Sequence, residues 1–229
     1  NYLYTHFDKF SPSPRYGHNF NSQGTISGGI TLLSVGGVLS FNASDTDIIV
    51  LKDGGFLVTW CVIDQRNGNR DFYAKRYDNN GLVDSPEYQL NQSAFVNLGY
   101  RASVSYAVNL DDGGYAIFWH SNANPSAISI QAQIYNQDHS KRGVEFSLPV
   151  GISSPTLSIS NVYQISDNRF LVTFVGANSP FFRIYGADGA ALSPLISNET
   201  GFSGLVELSD GRIINVTNKN GKNYVEVFD

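Results

Sequence analysis

The side chains with the most versatile chemistry in this sequence are four histidines and one cysteine, and their spacing matches no catalytic or metal-binding motif. His6, His18, His120 and His139 stand at unrelated intervals, and the His-x-x-x-His, His-Glu-x-x-His and Gly-x-Ser-x-Gly patterns are missing. Cys61 is the only cysteine, which leaves it without a disulfide partner or companion zinc ligands. We predict surface histidines, a small buried hydrophobe at Cys61, and no catalytic residue, metal or cofactor.

Two tryptophans have side chains that could stack on sugar rings. Trp60 and Trp119 each lie seven residues after an aspartate that begins a turn, and Phe174 occupies the same register after Asp167. Such regularity is typical of residues that pack a repeated core. We therefore interpret both tryptophans as core residues rather than as a sugar platform.

Acidic turns could offer oxygen ligands to calcium. They occur at residues 45–47, 78–81 and 111–114, but the twelve-residue calcium loop is absent. Aspartate and asparagine favour turns because their side chains hydrogen-bond to the nearby backbone. We interpret these segments as structural turns.

Asparagines in Asn-x-Ser/Thr sequons occur at Asn42, Asn91, Asn198 and Asn215. Sequons are acceptors for N-linked glycans in secreted proteins. The sequence contains no methionine, even at position 1. We expect a secreted, glycosylated protein, and a processed or partial chain from which any signal peptide has gone.

The composition favours strands and argues against two classes of partner. Only 15% of residues are charged, while glycine, serine, asparagine and aromatic residues are plentiful, as in all-β proteins. The formal net charge is -5 and no block of basic residues exists, which argues against nucleic acid and an anionic membrane surface. No apolar run is long enough for membrane insertion.

One eight-residue pattern occurs four times along the chain. Each copy places aspartate, followed by glycine or asparagine, directly before β-branched and aromatic residues, as in a tight hairpin entering a buried strand. The copies are Asp53–Trp60, Asp112–Trp119, Asp167–Phe174 and Asp210–Thr217. Their aspartates are spaced by 59, 55 and 43 residues, which suits four-stranded blades arranged radially.

The repeats predict an all-β fold, a β-propeller of four blades with four antiparallel strands each. We predict one domain over residues 15–229, preceded by an aromatic arm and proline connector over residues 1–14. The predicted blades are residues 47–98, 99–152, 153–200, and a composite of 203–229 with 15–36. The composite blade would close the ring with strands from both termini.

The best copy of the pattern extends from residue 53 to 81 and contains Asp53, Gly54, Gly55, Phe56, Trp60, Tyr73, Arg76, Tyr77, Asp78 and Gly81. It resembles the Asp-Gly-Gly-Phe-x-Val-x-Trp … Tyr-x-x-Arg-Tyr-Asp-x-x-Gly repeats found in tandem in large surface and secreted proteins, many of them bacterial adhesins and calcium-binding exported proteins. Residues 112–135 match well, whereas 167–189 and 210–229 match weakly, with Phe174 and Thr217 at the tryptophan position. The resemblance implies a β-propeller element and no catalytic residues.

The composite blade has one strand too many. Residues 16–21 and 224–229 both fit its third strand, and a surplus strand either caps its own sheet or adds to the edge of a neighbouring molecule. We predict self-association with other copies of the chain through residues of the arm and the last strand. These are Tyr2, Leu3, Tyr4, Phe7, Phe10, Tyr224, Val225, Val227 and Phe228.

Three functions are compatible with the sequence alone. The leading interpretation is an extracellular structural or surface protein, not an enzyme, that self-assembles into fibres or arrays. The second is a carbohydrate-binding, lectin-like propeller whose loop residues Phe95, Tyr100 and Asn122 contact a glycan. The third is a propeller glycosidase with two facing carboxylates, a pair that the sequence does not nominate.

Overall fold

A computed structural model describes most of the chain as antiparallel β-structure. The described residues are 2–6, 15–20, 31–34, 47–63, 69–91, 95–96, 106–124, 127–152, 154, 156–176, 179–197, 201–202 and 204–228. They contain strands and turns but no α-helix, and therefore no helix long and apolar enough to cross a bilayer. The chain divides into two compact units, residues 1–105 and 106–229.

The described residues of the first unit form two sheets. Sheet I has the order β1 (Tyr2–His6), β2 (Arg15–Phe20), β3 (Thr31–Ser34). Sheet II has the order β4 (Asp47–Val50), β5 (Phe56–Ile63), β6 (Asn69–Tyr77), β7 (Tyr88–Gln89), and β8 (Phe95–Val96) also pairs with β6. Every pairing is antiparallel.

The described residues of the second unit form three sheets in chain order. Sheet III comprises β9 (Tyr106–Asn109), β10 (Tyr115–Asn124), β11 (Ala127–Tyr135) and β12 (Lys141–Ser147). Sheet IV comprises β13 (Ser158–Ile165), β14 (Arg169–Gly176), β15 (Ser179–Tyr185) and β16 (Ile196–Ser197). Sheet V comprises β17 (Leu205–Glu207), β18 (Ile213–Lys219) and β19 (Lys222–Phe228).

The repeated turn joins the first two strands of sheets II to V. In sheets II and III the aspartate carboxylate accepts a hydrogen bond from the second glycine, over 2.9 Å in both Asp53–Gly55 and Asp112–Gly114. The first glycine is left-handed, with φ of 85° at Gly113, which glycine adopts without a steric penalty. In sheet IV, Asp167 and Asn168 are both left-handed, as a type I′ hairpin turn requires.

The second glycine of the turn leaves no room for a side chain. A Cβ atom on Gly114 would lie 2.5 Å from the carbonyl oxygen of Tyr135 and 3.0 Å from the Arg142 guanidinium. Sheets IV and V carry Arg169 and Arg212 at this position instead. In each of sheets II to V the turn therefore has an arginine beside it, either from a neighbouring strand or from the turn itself.

Aromatic pairs recur at one level of the core. The last residue of the third strand stacks on the first or second residue of the second strand, with ring centroids 5.0 to 5.6 Å apart. The pairs are Phe56–Tyr77, Tyr115–Tyr135 and Phe170–Tyr185. Burial raises the pKa of Tyr77 to about 12.

The middle strands of sheets III and IV are buried on both faces. In β14, Phe170, Val172 and Phe174 pack with residues of sheet III. The alternate residue Leu171 packs with Leu205 of sheet V, because successive side chains of a strand point to opposite faces. Sheet IV therefore lies between sheets III and V.

The all-β class and the antiparallel strand order predicted from the repeats are confirmed. The interpretation of Trp60, Trp119 and Cys61 as buried residues is confirmed too, since their exposed fractions are 2%, 1% and 0%. The described ladders form five sheets, because β1–β3 and β17–β19 each pair among themselves. The described ladders do not include the pairing that would close a composite blade, so closure stays a prediction.

Candidate functional site

A cavity of about 560 Å³ opens in the second unit, where the hairpin ends of sheets IV and V meet the first turn of sheet III. Its volume falls within the range of small-ligand sites, roughly 300 to 1,000 Å³. Its polar lining comprises Asp111, Gln164, Ser166 and Glu207, and its apolar lining includes Tyr163. We call it the Asp111–Glu207 pocket.

Three hairpins position the polar side chains of this pocket. Asp111 belongs to the turn between β9 and β10, and Ser166 to the turn between β13 and β14. Glu207 is the last residue of β17, immediately before the turn that leads into β18. Because each side chain sits on or beside a tight turn between packed strands, its backbone is held by the core below.

Asp111 connects sheet III to sheet IV. Its Oδ1 accepts a hydrogen bond from Nε2 of Gln164 over 2.6 Å, and its Oδ2 accepts one from the backbone N–H of Asn168 over 3.2 Å. A second hydrogen bond runs in the opposite direction, since Oδ1 of the Asn168 side chain accepts from the backbone N–H of Asp112 over 3.0 Å. The two turns are thus joined by reciprocal hydrogen bonds.

Glu207 connects sheet V to sheet IV in a similar way. Its Oε2 accepts from the backbone N–H of Ser166 over 2.6 Å, and its Oε1 accepts from the Ser166 hydroxyl over 2.9 Å. The Arg169 guanidinium donates to the same Oε1 over 2.8 Å. This charge-assisted contact is the stronger kind of hydrogen bond, and it holds the carboxylate at the pocket edge.

The neighbouring carboxylate of Asp112 is outside the pocket lining. It accepts a hydrogen bond from Nη1 of Arg142 over 2.7 Å. That bond, with help from the backbone N–H of Gly114, lowers the pKa of Asp112. Adjacent aspartates in one turn therefore have different surroundings, one facing the pocket and one paired with arginine.

The pocket suits hydroxyl-rich ligands. Carboxylate oxygens accept hydrogen bonds from sugar hydroxyls, the Ser166 hydroxyl can donate or accept, and Tyr163 offers an aromatic surface. Two carboxyl groups near one bound sugar are also the minimal equipment of glycoside hydrolysis. The described residues contain no group of three histidine, cysteine or acidic side chains that could hold a metal.

The sequence did not reveal this pair of carboxylates. Asp111 and Glu207 are far apart in the chain, and each looks like an ordinary turn residue. Only the stacking of sheets III, IV and V brings their turns to one cavity. The one available signal was the recurrence of an acidic residue at or just before each hairpin.

Two of the predicted glycosylation residues lie in the described part of the chain, and both are buried. Asn91 accepts from the backbone N–H of Phe72 over 2.7 Å. The side-chain amide of Asn215 donates to the carbonyl of Gly201 over 3.2 Å and to Oε2 of Glu226 over 3.1 Å. Asn42 and Asn198 lie outside the described residues, and glycosylation stays a prediction.

The predicted self-association residues belong to strands at sheet edges where they are described. Tyr2, Leu3 and Tyr4 lie in β1, whereas Phe7 and Phe10 lie outside the described residues. In β19, Tyr224, Val225 and Val227 are exposed, while Phe228 packs edge-on against Phe182, with ring centroids 5.1 Å apart. Self-association through these residues stays a prediction.

Other residues singled out from the sequence are dispersed. His120 is buried and its Nε2 accepts from the backbone N–H of Ile159 over 3.0 Å, so the prediction of a surface residue is wrong there. His139 lies in a turn near the Tyr115 hydroxyl, and His6 and His18 lie in β1 and β2. Phe95 and Asn122 lie in β8 and β10, and Tyr100 is outside the described residues.

Comparison with known proteins finds similarity of structure only. No family model and no curated protein sequence matches the chain. An endo-arabinase from Bacteroides thetaiotaomicron is 11% identical with a TM-score of 0.51, over 93% of this chain and 84% of that one. An ulvan lyase is also 11% identical, with a TM-score of 0.52, over 93% of this chain and 61% of that one.

A third similar structure identifies the fold. The β-propeller domain of the trilobed protease from Pyrococcus furiosus is 8% identical with a TM-score of 0.50, over 82% of this chain and 55% of that one. The chain thus spans less than two thirds of the ulvan lyase and of the protease domain. Its sheets belong to the β-propeller class of folds.

These similarities correct the leading interpretation of function. A non-enzymatic structural protein that assembles into fibres is contradicted, because two of the structures that share the fold are a polysaccharide lyase and an endo-arabinase. The prediction that the chain is not an enzyme is contradicted by the same two structures, each of which is an enzyme built on this fold. Low charge and missing motifs misled that prediction, since a propeller assembles its sites from turns far apart in sequence.

Proposed function

We propose that this chain is a carbohydrate-active propeller that binds a polysaccharide in the Asp111–Glu207 pocket and hydrolyses its glycosidic bonds. The observation that carries the proposal is one cavity of about 560 Å³ lined by two carboxyl groups from different sheets. The fold shared with an endo-arabinase supports the substrate class. The proposed polysaccharide substrate supports the extracellular location predicted from the sequence.

Hydrolysis would use the two carboxyl groups in different roles. One carboxylic acid gives its proton to the glycosidic oxygen as the bond from that oxygen to the anomeric carbon breaks. The other carboxylate takes a proton from the water whose oxygen forms the new bond to that carbon. Glu207 suits the second role, because Arg169 remains beside it as a counter-charge. Asp111 lines the same cavity from sheet III and is the partner carboxyl group in this scheme.

The test is release of reducing ends from arabinan and from a panel of other polysaccharides. We expect Asp111→Asn and Glu207→Gln to lower the rate by about 100-fold or more, the usual effect of losing a general acid or base. Asp112→Asn is the matched control, because it changes the neighbouring carboxylate of the same turn outside the pocket lining. Product release that both pocket variants leave unchanged would refute the assignment.

A second candidate is a glycan-binding role without cleavage. It is favoured by the protein donors that already occupy Asp111 and Glu207, since engaged carboxylates are well placed to orient sugar hydroxyls. Retardation of the protein in gels containing polysaccharide, without any product, would support binding alone. Product formation would favour the enzyme.

We also propose that the blades close into a ring through the composite of residues 203–229 and 15–36. The spacing of the four repeats supports this arrangement. The test is oxidative crosslinking between one cysteine placed in β3 and one placed in β19, in a Cys61→Ser background. A closed ring predicts an intramolecular disulfide, and free thiols at every register tried would refute closure.

A further inference from the structure

We infer that the Asp111–Glu207 pocket selects neutral, hydroxyl-rich glycans and rejects polymers that carry uronate or sulfate groups. This inference rests on the proposed function, because it names the class of polysaccharide for the same pocket. It follows from the charges that line the cavity and from what already neutralises them.

The pocket lining is acidic. Among the described lining residues, Asp111 and Glu207 are the two acidic side chains, and neither lysine nor arginine is among them. The chain as a whole has a formal net charge of -5, which adds to the repulsion of anions at a distance. A uronate or sulfate brought into this cavity would meet charges of its own sign.

The cation beside Glu207 is already engaged. Arg169 donates to Oε1 of Glu207 over 2.8 Å, and it also donates to the carbonyl and the hydroxyl of Ser166 over 3.0 and 3.1 Å. Binding an anionic sugar through Arg169 would require breaking these bonds and leaving Glu207 with fewer donors. Such a loss is costly for a carboxylate whose side chain is only 12% exposed.

The hydrogen-bonding character of the pocket points the same way. An ionised carboxylate only accepts hydrogen bonds, and so do uronates and sulfate esters, so these groups have no donor to offer the Glu207 carboxylate. Sugar hydroxyls both donate and accept, which lets them satisfy the carboxylates without bringing charge. Neutral sugars are therefore the matching ligands.

The lining of this pocket is also unfavourable for the elimination reaction by which lyases cleave uronate-containing polymers. A lyase that removes the proton beside a uronate carboxylate must stabilise the negative charge that develops there. Two carboxylates in the same cavity would oppose that charge. The acidic lining is therefore unsuited to the class of polymer in the similar ulvan lyase structure, whose ligand contains glucuronate and sulfated rhamnose.

The test compares binding of neutral arabinan with binding of ulvan and polygalacturonate by affinity electrophoresis, at low and at moderate salt. We expect the protein to be retarded by arabinan at both salt concentrations and by neither anionic polymer. Binding that screening barely affects is the expected property of a neutral ligand.

A charge-addition variant tests the cause. Gln164→Lys keeps a donor beside Asp111 and adds a positive charge to the lining. We expect it to raise the affinity for the anionic polymers by about fivefold at low salt, the effect of one nearby charge in a solvated site. Gln137→Lys is the matched control, since it adds the same charge to an exposed turn outside the lining. Circular dichroism spectra of both variants serve as the check that each one is folded.

The outcomes separate the inference from the proposed function. Retardation by an anionic polymer as strong as that by arabinan, reduced by Asp111→Asn or Glu207→Gln, would overturn the selectivity and leave a carbohydrate-active pocket. An equal gain from Gln164→Lys and Gln137→Lys would overturn the pocket charge as its cause. No retardation and no product with any polymer would overturn both the function and the selectivity.

Discussion

Each repeated hairpin carries an aspartate, and arginine reaches its surroundings by two routes. In sheets II and III the arginine comes from outside the turn, as Arg76 and Arg142. The second residue after the aspartate must then be glycine, because a side chain there would clash. In sheets IV and V the second residue after the aspartate is itself an arginine, as in the Arg212–Asp210 ion pair. The glycine-to-arginine change in the two weaker copies of the repeat therefore keeps an arginine beside the aspartate.

Gly114→Ala tests the steric half of this arrangement. Because the new Cβ would lie 2.5 Å from the Tyr135 carbonyl oxygen, backbone must move, and we expect a loss of about 1 to 3 kcal/mol in the free energy of unfolding. Gly204→Ala is the control, since nothing lies within 4 Å of its Cβ position. Urea denaturation measures both, and equal midpoints would contradict the steric explanation.

Asp112→Asn tests the electrostatic half. Arg142 lowers the pKa of Asp112 in the folded chain, so the ionised carboxylate stabilises the fold above its unfolded pKa, roughly 3.9. That stabilisation is lost as the pH falls through the lowered pKa of Asp112 in the folded state. Melting temperatures of the variant should therefore fall less steeply than wild type below about pH 4. Parallel curves would show that the ion pair does not contribute, as happens for many exposed pairs.

At the scale of strands and sheets, much could be predicted from the sequence. The turn signals and the seven-residue register from aspartate to Trp60 and Trp119 were enough to locate the central strands and their buried residues. The pocket could not be predicted, because Asp111 and Glu207 meet only after three sheets stack. His120 was also missed, since its partner is a backbone N–H of the next sheet rather than a side chain with a motif.

Trp119→Ala tests the central strand of sheet III. The side chain is 1% exposed, and we expect a loss of about 3 to 5 kcal/mol, the usual cost of truncating a buried aromatic residue. Val144→Ala on β12, an edge strand of the same sheet, is the control, because that side chain is 76% exposed and should cost less than about 0.5 kcal/mol. Chemical denaturation measures both variants, and similar losses would contradict the core assignment.

At the scale of the whole molecule, the two compact units share one fold class and each contains one tryptophan. Trp60 lies in residues 1–105 and Trp119 in residues 106–229, so the pair reports on the units separately. The propeller fold shared with an endo-arabinase and an ulvan lyase covers 93% of the chain, which includes parts of both units. A single cooperative domain over residues 15–229 stays a prediction, and the two tryptophans offer a direct test of it.

Trp60→Phe and Trp119→Phe leave one fluorescent reporter in each unit. If residues 15–229 fold as one cooperative domain, both variants should show coincident unfolding by fluorescence and by circular dichroism. Repeats that share interfaces unfold together when the coupling between neighbours is strong. Each variant is less stable than wild type by an amount that circular dichroism measures. If the fluorescence midpoints of the two variants still differ after this loss is subtracted, the two units unfold independently.

The hydrogen bonds between neighbouring hairpins also indicate where a peptide can be inserted into this fold. Asp111 and Asn168 join one pair of turns, and Glu207 and Ser166 join the next. A peptide inserted into any of these turns would disturb the hydrogen bonds that join two neighbouring sheets. The turn at Gln137–Ser140 bonds chiefly within its own hairpin, so it is the better position for grafting a tag or an affinity loop.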